Sequence, residues 1–293
     1  MLYFIVPSMN RPVTLRDFLR NQSKLSLTIW RKIKHTGTIE VNGDPAYPGS
    51  LVHTADKIHL TWPQECLIQP TCLPLSICYE DDTIIILDKP AGMLVHPNCE
   101  GTATTLANAV IYYYRSHNCQ AGFHPVHRLD RNTSGLILVA KTPHAQHLLC
   151  QSNSLRIARS YLAIITGYPE PSQGTIDKPI GRRPGSIIER MICPNGQPAV
   201  TMYRTLHSYG KVSLLELQLC TGRTHQIRVH LSFLGHPLIG DDLYGGSKYL
   251  LDRQALHCAH LEFTHPTTGK KISLSAGLPY DMQTVLRLAQ TDP

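Results

Sequence analysis

The sequence is poor in the features that mark secreted, disulfide-bonded and membrane-spanning proteins. Its 293 residues include nine cysteines, an odd number, and no two are spaced as Cys-x-x-Cys. A disulfide framework or a zinc knuckle is therefore not indicated. No run of about 18 apolar residues occurs, and no basic stretch precedes the apolar start of the chain. We therefore expect a cytoplasmic protein with neither a signal peptide nor a membrane span.

Histidine is abundant, with 16 residues that include the close pairs His124/His127 and His257/His260. These pairs leave metal ligation open. However, no cysteine or carboxylate completes a recognisable ligand set beside them, so we expect no metal site.

The overall charge is positive, because 28 lysines and arginines outnumber 21 aspartates and glutamates and give a formal charge of +7. A surplus of this size suits a polyanionic partner such as nucleic acid. Hydrophobic residues make up 42% of the chain and charged residues 17%, which is typical of a globular protein.

Residues 1–62 are expected to form a small α+β module. Thr14 can cap a first helix, and a second helical stretch over 26–35 carries the basic residues Arg31, Lys32 and Lys34. Asn42-Gly43 then predicts a hairpin turn between two strands. Without an RNA-binding role, this order of elements is a helical hairpin with a solvated basic face.

Residues 63–78 contain three prolines and are expected to be a linker. From residue 79 to 293, short strands alternate with short helices but few βαβ units occur, which predicts an α+β domain with a mixed, largely antiparallel sheet flanked by helices. The strand candidates are 83–87, 136–141, 160–165, 200–206 and 212–219. The helix candidates are 105–114, 143–150, 224–234 and 279–288.

Asp130 is the most informative residue, because it is the only carboxylate between Glu100 and Glu170, in a segment that contains several arginines. A carboxylate among cations stays ionised and can act as a nucleophile or stabilise a cationic transition state. The simpler alternative is a turn residue that binds nearby backbone amides.

Two other hydrolytic chemistries are disfavoured around Asp130. A glycosidase needs a second acid, which only a distant segment could supply. Ser134 precedes Gly135 but lacks the Gly-x-Ser-x-Gly elbow of a Ser-His-Asp hydrolase.

A second motif runs from Thr221 to His230 and lies in a segment, 218–240, that contains no acidic residue. The pattern predicts a helix capped by Thr224, with Arg223 just ahead of it, where free amides attract anions. The arginines here need either a distant carboxylate or a ligand phosphate, unless they form a solvated helix start.

Together these motifs resemble the RluA-type RNA pseudouridine synthases. His127-Arg128-Leu129-Asp130-Arg131-Asn132-Thr133-Ser134-Gly135 is similar to the family's central motif. The segments 79–97, 159–161, 221–230 and 236–241 match other family motifs in the expected order. The similarity spans about residues 79–280. The N-terminal module resembles the alpha-L RNA-binding module of a ribosomal protein.

The resemblance implies a pseudouridine synthase fold with a central active-site cleft, and a role for each matched residue. Asp130 is the implied nucleophile, Tyr161 packs on the flipped uracil or acts as an acid/base, and Arg223 pairs with Asp130. A core tyrosine is the alternative for Tyr161. Arg128 is implied to replace the flipped nucleotide in its stack. The other expected substrate-binding residues are His127, Arg131, Thr133, Gln226 and Arg228.

The implied reaction isomerises uridine to pseudouridine in structured RNA and needs no cofactor. Large-subunit ribosomal RNA is the expected substrate, transfer RNA the second choice, and a monomer the expected state. An inactive RNA-binding protein would need a damaged catalytic set. A nucleoside hydrolase would release base or nucleoside, and a zinc deaminase would need His-x-Glu with Cys-x-x-Cys, which the sequence lacks.

Overall fold

The N-terminal module is a small sheet packed on two short helical segments. The computed structural model describes residues 2–62, 68–97, 103–151 and 157–291. The elements of the module are β1 Leu2–Ile5, β2 Val13–Thr14, α1 Leu15–Asp17, a π-helical turn Phe18–Gln22, α2 Leu27–Thr36, β3 Thr38–Val41, β4 Asp44–Pro45, β5 Leu51–Val52 and β6 Lys57–Thr61.

Side-chain caps start both helices of the module, and the one at Thr14 is the cap that the sequence predicts. The Thr14 hydroxyl accepts a hydrogen bond from the Asp17 amide, and the Ser26 hydroxyl accepts one from the Ile29 amide. The module has its own apolar core, separate from that of the large domain. This core includes Leu15, Leu19, Leu25, Ile33, Ile58 and Leu60.

The large domain is built on one sheet of ten strands with helices against it, and this confirms the predicted α+β domain with a mixed, largely antiparallel sheet. Its elements are β7 Ile77–Glu80, β8 Ile84–Lys89, α3 Leu106–Ser116, β9 His124–Pro125, β10 Ser134–Ala140, α4 Pro143–Cys150, β11 Ala158–Thr166, β12 Gln173–Asp177, β13 Ile180–Arg182, β14 Arg190–Ile192, β15 Val200–Tyr209, β16 Val212–Leu219, α5 Gln226–Phe233, a 3-10 turn Asp242–Tyr244, β17 Leu256–Thr264, β18 Lys271–Ser275 and α6 Tyr280–Thr291.

The strands of the sheet follow the order β12-β15-β16-β11-β17-β10-β8-β7, with β18 beside β17 and β9 beside β10. Neighbours are antiparallel except β10 and β17, which pair in parallel over two residues only. Gly135 makes this seam possible, because a Cβ there would lie 2.3 Å from the Cys258 carbonyl oxygen. Its φ of +110° also favours glycine.

The structure moves the predicted end of the linker. Ile77 and Cys78, placed in the linker by the three prolines, belong to β7, in which Ile77 pairs with Leu87 of β8. Residues 63–67 of that linker lie outside the described part of the chain. The module contacts the large domain through Phe4, whose ring meets that of His144 edge-on at 5.5 Å. No helix in the described ranges is long and apolar enough to cross a membrane.

Candidate active site

A cleft of about 360 Å³ opens where the loop before β10 faces β11 and the start of α5. Among the described residues that line it, Asp130 is the only acidic one, whereas Arg128, Arg159, Arg223 and Arg228 are basic. The lone carboxylate predicted from the sequence is therefore set in a cationic cavity.

Asp130 lies on the loop between β9 and β10, and its side chain is about 30% exposed, so that a ligand in the cleft can reach it. The Asp130 carbonyl accepts a hydrogen bond from the Thr133 amide at 3.1 Å, which closes the turn. Its carboxylate Oδ2 lies 3.5 Å from Nη1 of Arg228 and 3.9 Å from Nε2 of His225.

Arg228 is held by a second, buried carboxylate. Its Nε and Nη2 donate to the two oxygens of Asp241 at 2.7 and 2.8 Å, which leaves Nη1 toward Asp130. The guanidinium also lies over the Tyr244 ring, 4.8 Å from its centre. Burial acts to lower the pKa of Arg228, but the hydrogen bonds and charge of Asp241 outweigh it and raise that pKa. Arg228 is therefore a fixed positive charge beside Asp130.

His225 immediately precedes α5 and lies in the left-handed region, with a φ of 57°, which is uncommon for a residue with a side chain. Its Nδ1 lies 2.8 Å from the Tyr244 hydroxyl, whose oxygen accepts the Arg190 amide at 2.9 Å. A Tyr244 proton directed at Nδ1 places the histidine proton on Nε2, toward Asp130. Burial lowers the pKa of His225, although the Asp130 charge acts in the opposite direction, so the ring is a neutral donor.

Lys89, at the end of β8, supports the loop that carries Asp130. It is fully buried, and its Nζ donates to the carbonyls of Pro90, Met93 and Arg131 at 2.8, 2.9 and 3.1 Å. Burial lowers the pKa of Lys89 to about 7, while the charge of Asp130 opposes that shift. Lys89 thus joins the loop after β8 to the loop that carries Asp130.

Side chains just before and within β17 complete the support of the loop. Arg253 Nη1 donates to the Asn132 carbonyl at 3.2 Å, and Gln254 Nε2 donates to the Thr133 hydroxyl at 3.3 Å. Ser134 lies 3.0 Å from Nδ1 of His257. The shape of the Asp130 loop therefore depends on a segment more than 100 residues later in the chain.

Tyr161 and Arg159 form the β11 wall of the cleft. Tyr161 is 4% exposed, and burial raises the pKa of its phenol well above the usual value, so the hydroxyl stays protonated. The Arg159 Nε is buried and finds no hydrogen-bond partner in the described part of the chain. This wall offers an aromatic face and an available cation.

The structure differs from the sequence expectation about Arg223. Its Nε donates to the Pro198 carbonyl at 3.0 Å, and the residue is exposed at the edge of the cleft. The ion pair with Asp130 is made by Arg228 instead. The helix also begins later than predicted, at Gln226, and Thr224 does not cap it. The Arg223 amide instead donates to the Gln226 side chain at 3.0 Å.

The expected substrate-binding residues differ in their exposure and in whether they line the cleft. Arg128 is exposed at the cleft, whereas Arg131 is exposed outside its lining and donates from Nε to the Gly92 carbonyl at 3.0 Å. His127 is buried and accepts the Leu138 amide at 3.1 Å. Burial lowers the pKa of His127 to about 3, which keeps the ring neutral.

Gln226 and Thr133 are also committed to internal contacts. The Gln226 amide nitrogen donates to the Val200 carbonyl and the Thr201 hydroxyl, both at 3.0 Å, and its oxygen accepts the Thr221 hydroxyl at 2.8 Å. Both residues line the cleft but are 2% exposed. Their observed contacts hold the cleft walls.

Sequence reasoning missed Lys89, His225, Asp241 and Tyr244 as parts of the site. Asp241 is the first acidic residue after the acid-free segment that contains Arg228, and it lies one residue beyond the end of that segment. No sequence signal marks Tyr244, because its role depends on the turn that follows Asp241. Within the described ranges, no group of three or more histidine, cysteine or acidic residues is arranged to hold a metal.

Comparison with known proteins assigns the family. Residues 83–233 match the RNA pseudouridylate synthase family. The uncharacterized RNA pseudouridine synthase YjbO of Bacillus subtilis is 40% identical over 258 residues, which cover 86% of this chain and 90% of the relative. The ribosomal large subunit pseudouridine synthase D of Xanthomonas campestris is 36% identical over 299 residues, or 95% and 88% of the two chains.

A solved structure supports the same assignment. The human RNA pseudouridylate synthase domain containing 1 superimposes with a TM-score of 0.59 at 29% identity, over 71% of this chain and 84% of that one. The sequence match exceeds half of the chain, and the relatives are aligned over most of their length. The chain therefore belongs to the RluA-type RNA pseudouridine synthases, isomerases that convert uridine to pseudouridine in RNA.

Proposed function

We propose that Asp130 is the catalytic nucleophile and that it acts on a flipped-out uridine of large-subunit ribosomal RNA. The observation that carries this proposal is the ion pair of Asp130 with Arg228 at the wall of the cleft. The pair places a positive charge beside the Asp130 carboxylate and orients it, and the partial exposure of Asp130 leaves it accessible to a nucleotide.

The isomerisation needs only acid–base and nucleophilic groups. The bond from C1′ to N1 breaks, the uracil turns, and a bond from C1′ to C5 forms. The proton on C5 leaves and N1 gains one, so atoms and electrons balance without a cofactor. Asp130 can start this sequence by adding to the ribose, by adding to the base or by removing a ribose proton.

The other residues fit supporting roles. Tyr161 packs against the uracil, and its raised pKa favours a neutral ring over a phenolate base. Arg128, exposed at the cleft, fills the space that the flipped nucleotide leaves in its stack. Arg228 takes the role of counter-charge that the sequence assigned to Arg223.

The names of several relatives favour ribosomal RNA. Besides the Xanthomonas protein, a ribosomal large subunit pseudouridine synthase D of Escherichia coli is 39% identical over 246 residues. We propose that the N-terminal module adds RNA affinity through Arg31, Lys32 and Lys34, all exposed on α2. We propose further that the protein is monomeric and works in the cytoplasm.

Two experiments test this proposal. Pseudouridines are mapped across total RNA from cells with and without the protein. Loss of sites in large-subunit ribosomal RNA supports the proposed substrate, and loss confined to transfer RNA contradicts it.

The second experiment tests Asp130 with purified protein. Asp130→Asn keeps the shape but removes the charge and the nucleophilic oxygen, so pseudouridine formation is expected to fall by at least about 10³-fold. The melting temperature and the RNA affinity are expected to stay close to those of the unmodified protein. An Asp130→Asn protein that folds, binds RNA and still forms pseudouridine at an appreciable rate rules out the nucleophile.

A further inference from the structure

A second cavity, of about 340 Å³, lies next to the active-site cleft. It is formed by the β13–β14 hairpin and the loop that follows, and it shares Arg223 and Thr224 with the cleft. Arg182 and Arg190, one on each strand of the hairpin, face each other in the strand register. An RNA strand that leaves the cleft past Arg223 therefore enters this cavity directly.

The cavity gathers three guanidinium groups without an acid to balance them. Arg182, Arg190 and Arg223 line it, and none of the described lining residues is acidic. The nearest acid in sequence, Glu189, is paired with Arg183 at 2.9 Å, and Arg183 is not part of the lining. Clustered like charges repel unless an anion lies between them.

The three arginines also keep free donors. Arg223 uses its Nε on the Pro198 carbonyl, and Arg190 uses Nη1 on the carbonyls of Ile188 and Glu189. Arg182 is exposed, and its side chain makes no hydrogen bond or ion pair with the described residues. Guanidinium groups with free N–H donors bind phosphate in a bidentate manner.

The hairpin is fixed relative to the catalytic residues. Ile180 and Gln197 exchange two backbone hydrogen bonds of 2.9 Å. Gly196 permits this approach, because a Cβ there would lie 2.5 Å from the Ile180 carbonyl carbon. The Arg190 amide donates to the Tyr244 hydroxyl, which also contacts His225. The cavity therefore lies at a set distance from Asp130.

We propose that Arg182, Arg190 and Arg223 bind the phosphodiester backbone of the RNA strand adjacent to the modified uridine. This proposal rests on the proposed function, which places the target nucleotide in the cleft. It also gives Arg223 a role that its position at the boundary of two cavities explains, in place of the pairing with Asp130.

The test compares two double variants with the unmodified protein. Arg182→Gln/Arg223→Gln removes two of the proposed phosphate contacts, and Arg204→Gln/Arg287→Gln removes two arginines that do not line either cavity. Binding of a single-stranded RNA of twelve uridylates is measured by fluorescence anisotropy between 50 and 200 mM salt, a range over which counterion release dominates. Melting temperature is recorded for each protein.

The first variant is expected to bind more weakly, with a salt slope smaller by about 0.7 for each lost phosphate contact. In turnover of the RNA mapped above, its KM rises more than its kcat falls. The control variant keeps the slope. An unchanged slope in Arg182→Gln/Arg223→Gln, or an equal loss in the control, overturns the phosphate site. The mapping experiment does not depend on these variants. If the proposed function is wrong, the unmodified protein forms no pseudouridine in that experiment, whatever the binding measurements show.

Discussion

Nη1 of Arg228 lies 3.5 Å from Oδ2 of Asp130, while the other nitrogens of the same guanidinium are bound to Asp241. The Arg228 guanidinium therefore interacts with two carboxylates, the buried Asp241 and Asp130, which faces the cleft. Asp241 fixes the orientation of the guanidinium toward Asp130. This division of donors leads to separate expectations for the three residues.

Arg228→Lys keeps a positive charge near Asp241 but lacks the planar fork that binds Asp241 through two nitrogens and directs a third toward Asp130. We expect kcat to fall by about 10²-fold, the effect of removing one preorganised donor. Arg223→Gln is expected to raise KM and to lower kcat far less, because Arg223 is not paired with Asp130. Steady-state kinetics of both proteins separate the two roles. A larger kcat loss in Arg223→Gln than in Arg228→Lys would restore the original assignment of the counter-charge.

Asp241→Asn leaves the Arg228 guanidinium buried without its bidentate partner. Because Asp241 is 1% exposed, we expect the free energy of unfolding to fall by about 3–5 kcal/mol. Activity is expected to fall as well, at a temperature where the variant is still folded. Denaturant unfolding gives the first quantity and single-turnover kinetics the second. A variant that loses stability but keeps full activity would show that Arg228 needs no help to face Asp130.

The sequence identified the Asp130 loop but not the partners of its carboxylate. The motif around Asp130 is local, and a nearly continuous stretch of residues specifies it. The choice between Arg223 and Arg228 depends on where α5 begins. Because His225 adopts the left-handed conformation, the helix starts after it, and Arg228 falls in its first turn. Such a conformation follows from tertiary contacts and is invisible in residue spacing.

The same limit applies to the fold. Strand β16 was predicted with its observed bounds, because it is strongly apolar, with Val212 and four leucines among its eight residues. Strand β17 was missed, although it holds the centre of the sheet. It contains two histidines that read as polar, yet His257 is 1% exposed and hydrogen-bonds across the seam to Ser134. Burial of a polar side chain of this kind is decided by its partner, which lies 123 residues away.

The basic face of α2 provides a test of the N-terminal module. Substituting Arg31, Lys32 and Lys34 by glutamine removes charge without touching the buried face of the helix. We expect weaker binding of substrate RNA at low salt, with a difference that shrinks as salt rises, because fewer counterions are released. Binding isotherms at several salt concentrations measure this effect.

A matched triple variant at Arg204, Lys270 and Arg287 serves as the control, because it removes the same net charge from exposed positions of the large domain. If both triple variants lose the same affinity, the effect comes from total charge and the module is not an RNA-binding element.

The contact between module and large domain is expected to make stability depend on pH. Burial lowers the pKa of His144 from 6.5 to about 4. The unfolded chain therefore binds a proton below pH 6.5 that the folded protein refuses until about pH 4, and stability falls as the pH drops through this window. The shift corresponds to a loss on the order of 3 kcal/mol.

His144→Phe keeps an aromatic ring against Phe4 but cannot titrate. The melting temperature of this variant is expected to depend less on pH between 6.5 and 4 than that of the unmodified protein. Parallel curves for the two proteins would show that His144 does not contribute, and would assign the acid sensitivity to other histidines whose pKa is lowered by burial, such as His127 and His124.

The support of the Asp130 loop by Arg253, Gln254 and His257 has a consequence for synthesis of the protein. When Asp130 emerges from the ribosome, the nascent chain still lacks the residues that shape the Asp130 loop, since they are more than 120 positions away in sequence. Competence for catalysis is therefore acquired late, after β17 has been translated and has closed the seam with β10. Premature termination between the Asp130 motif and that strand is expected to yield a polypeptide that contains the complete motif but is not a working enzyme.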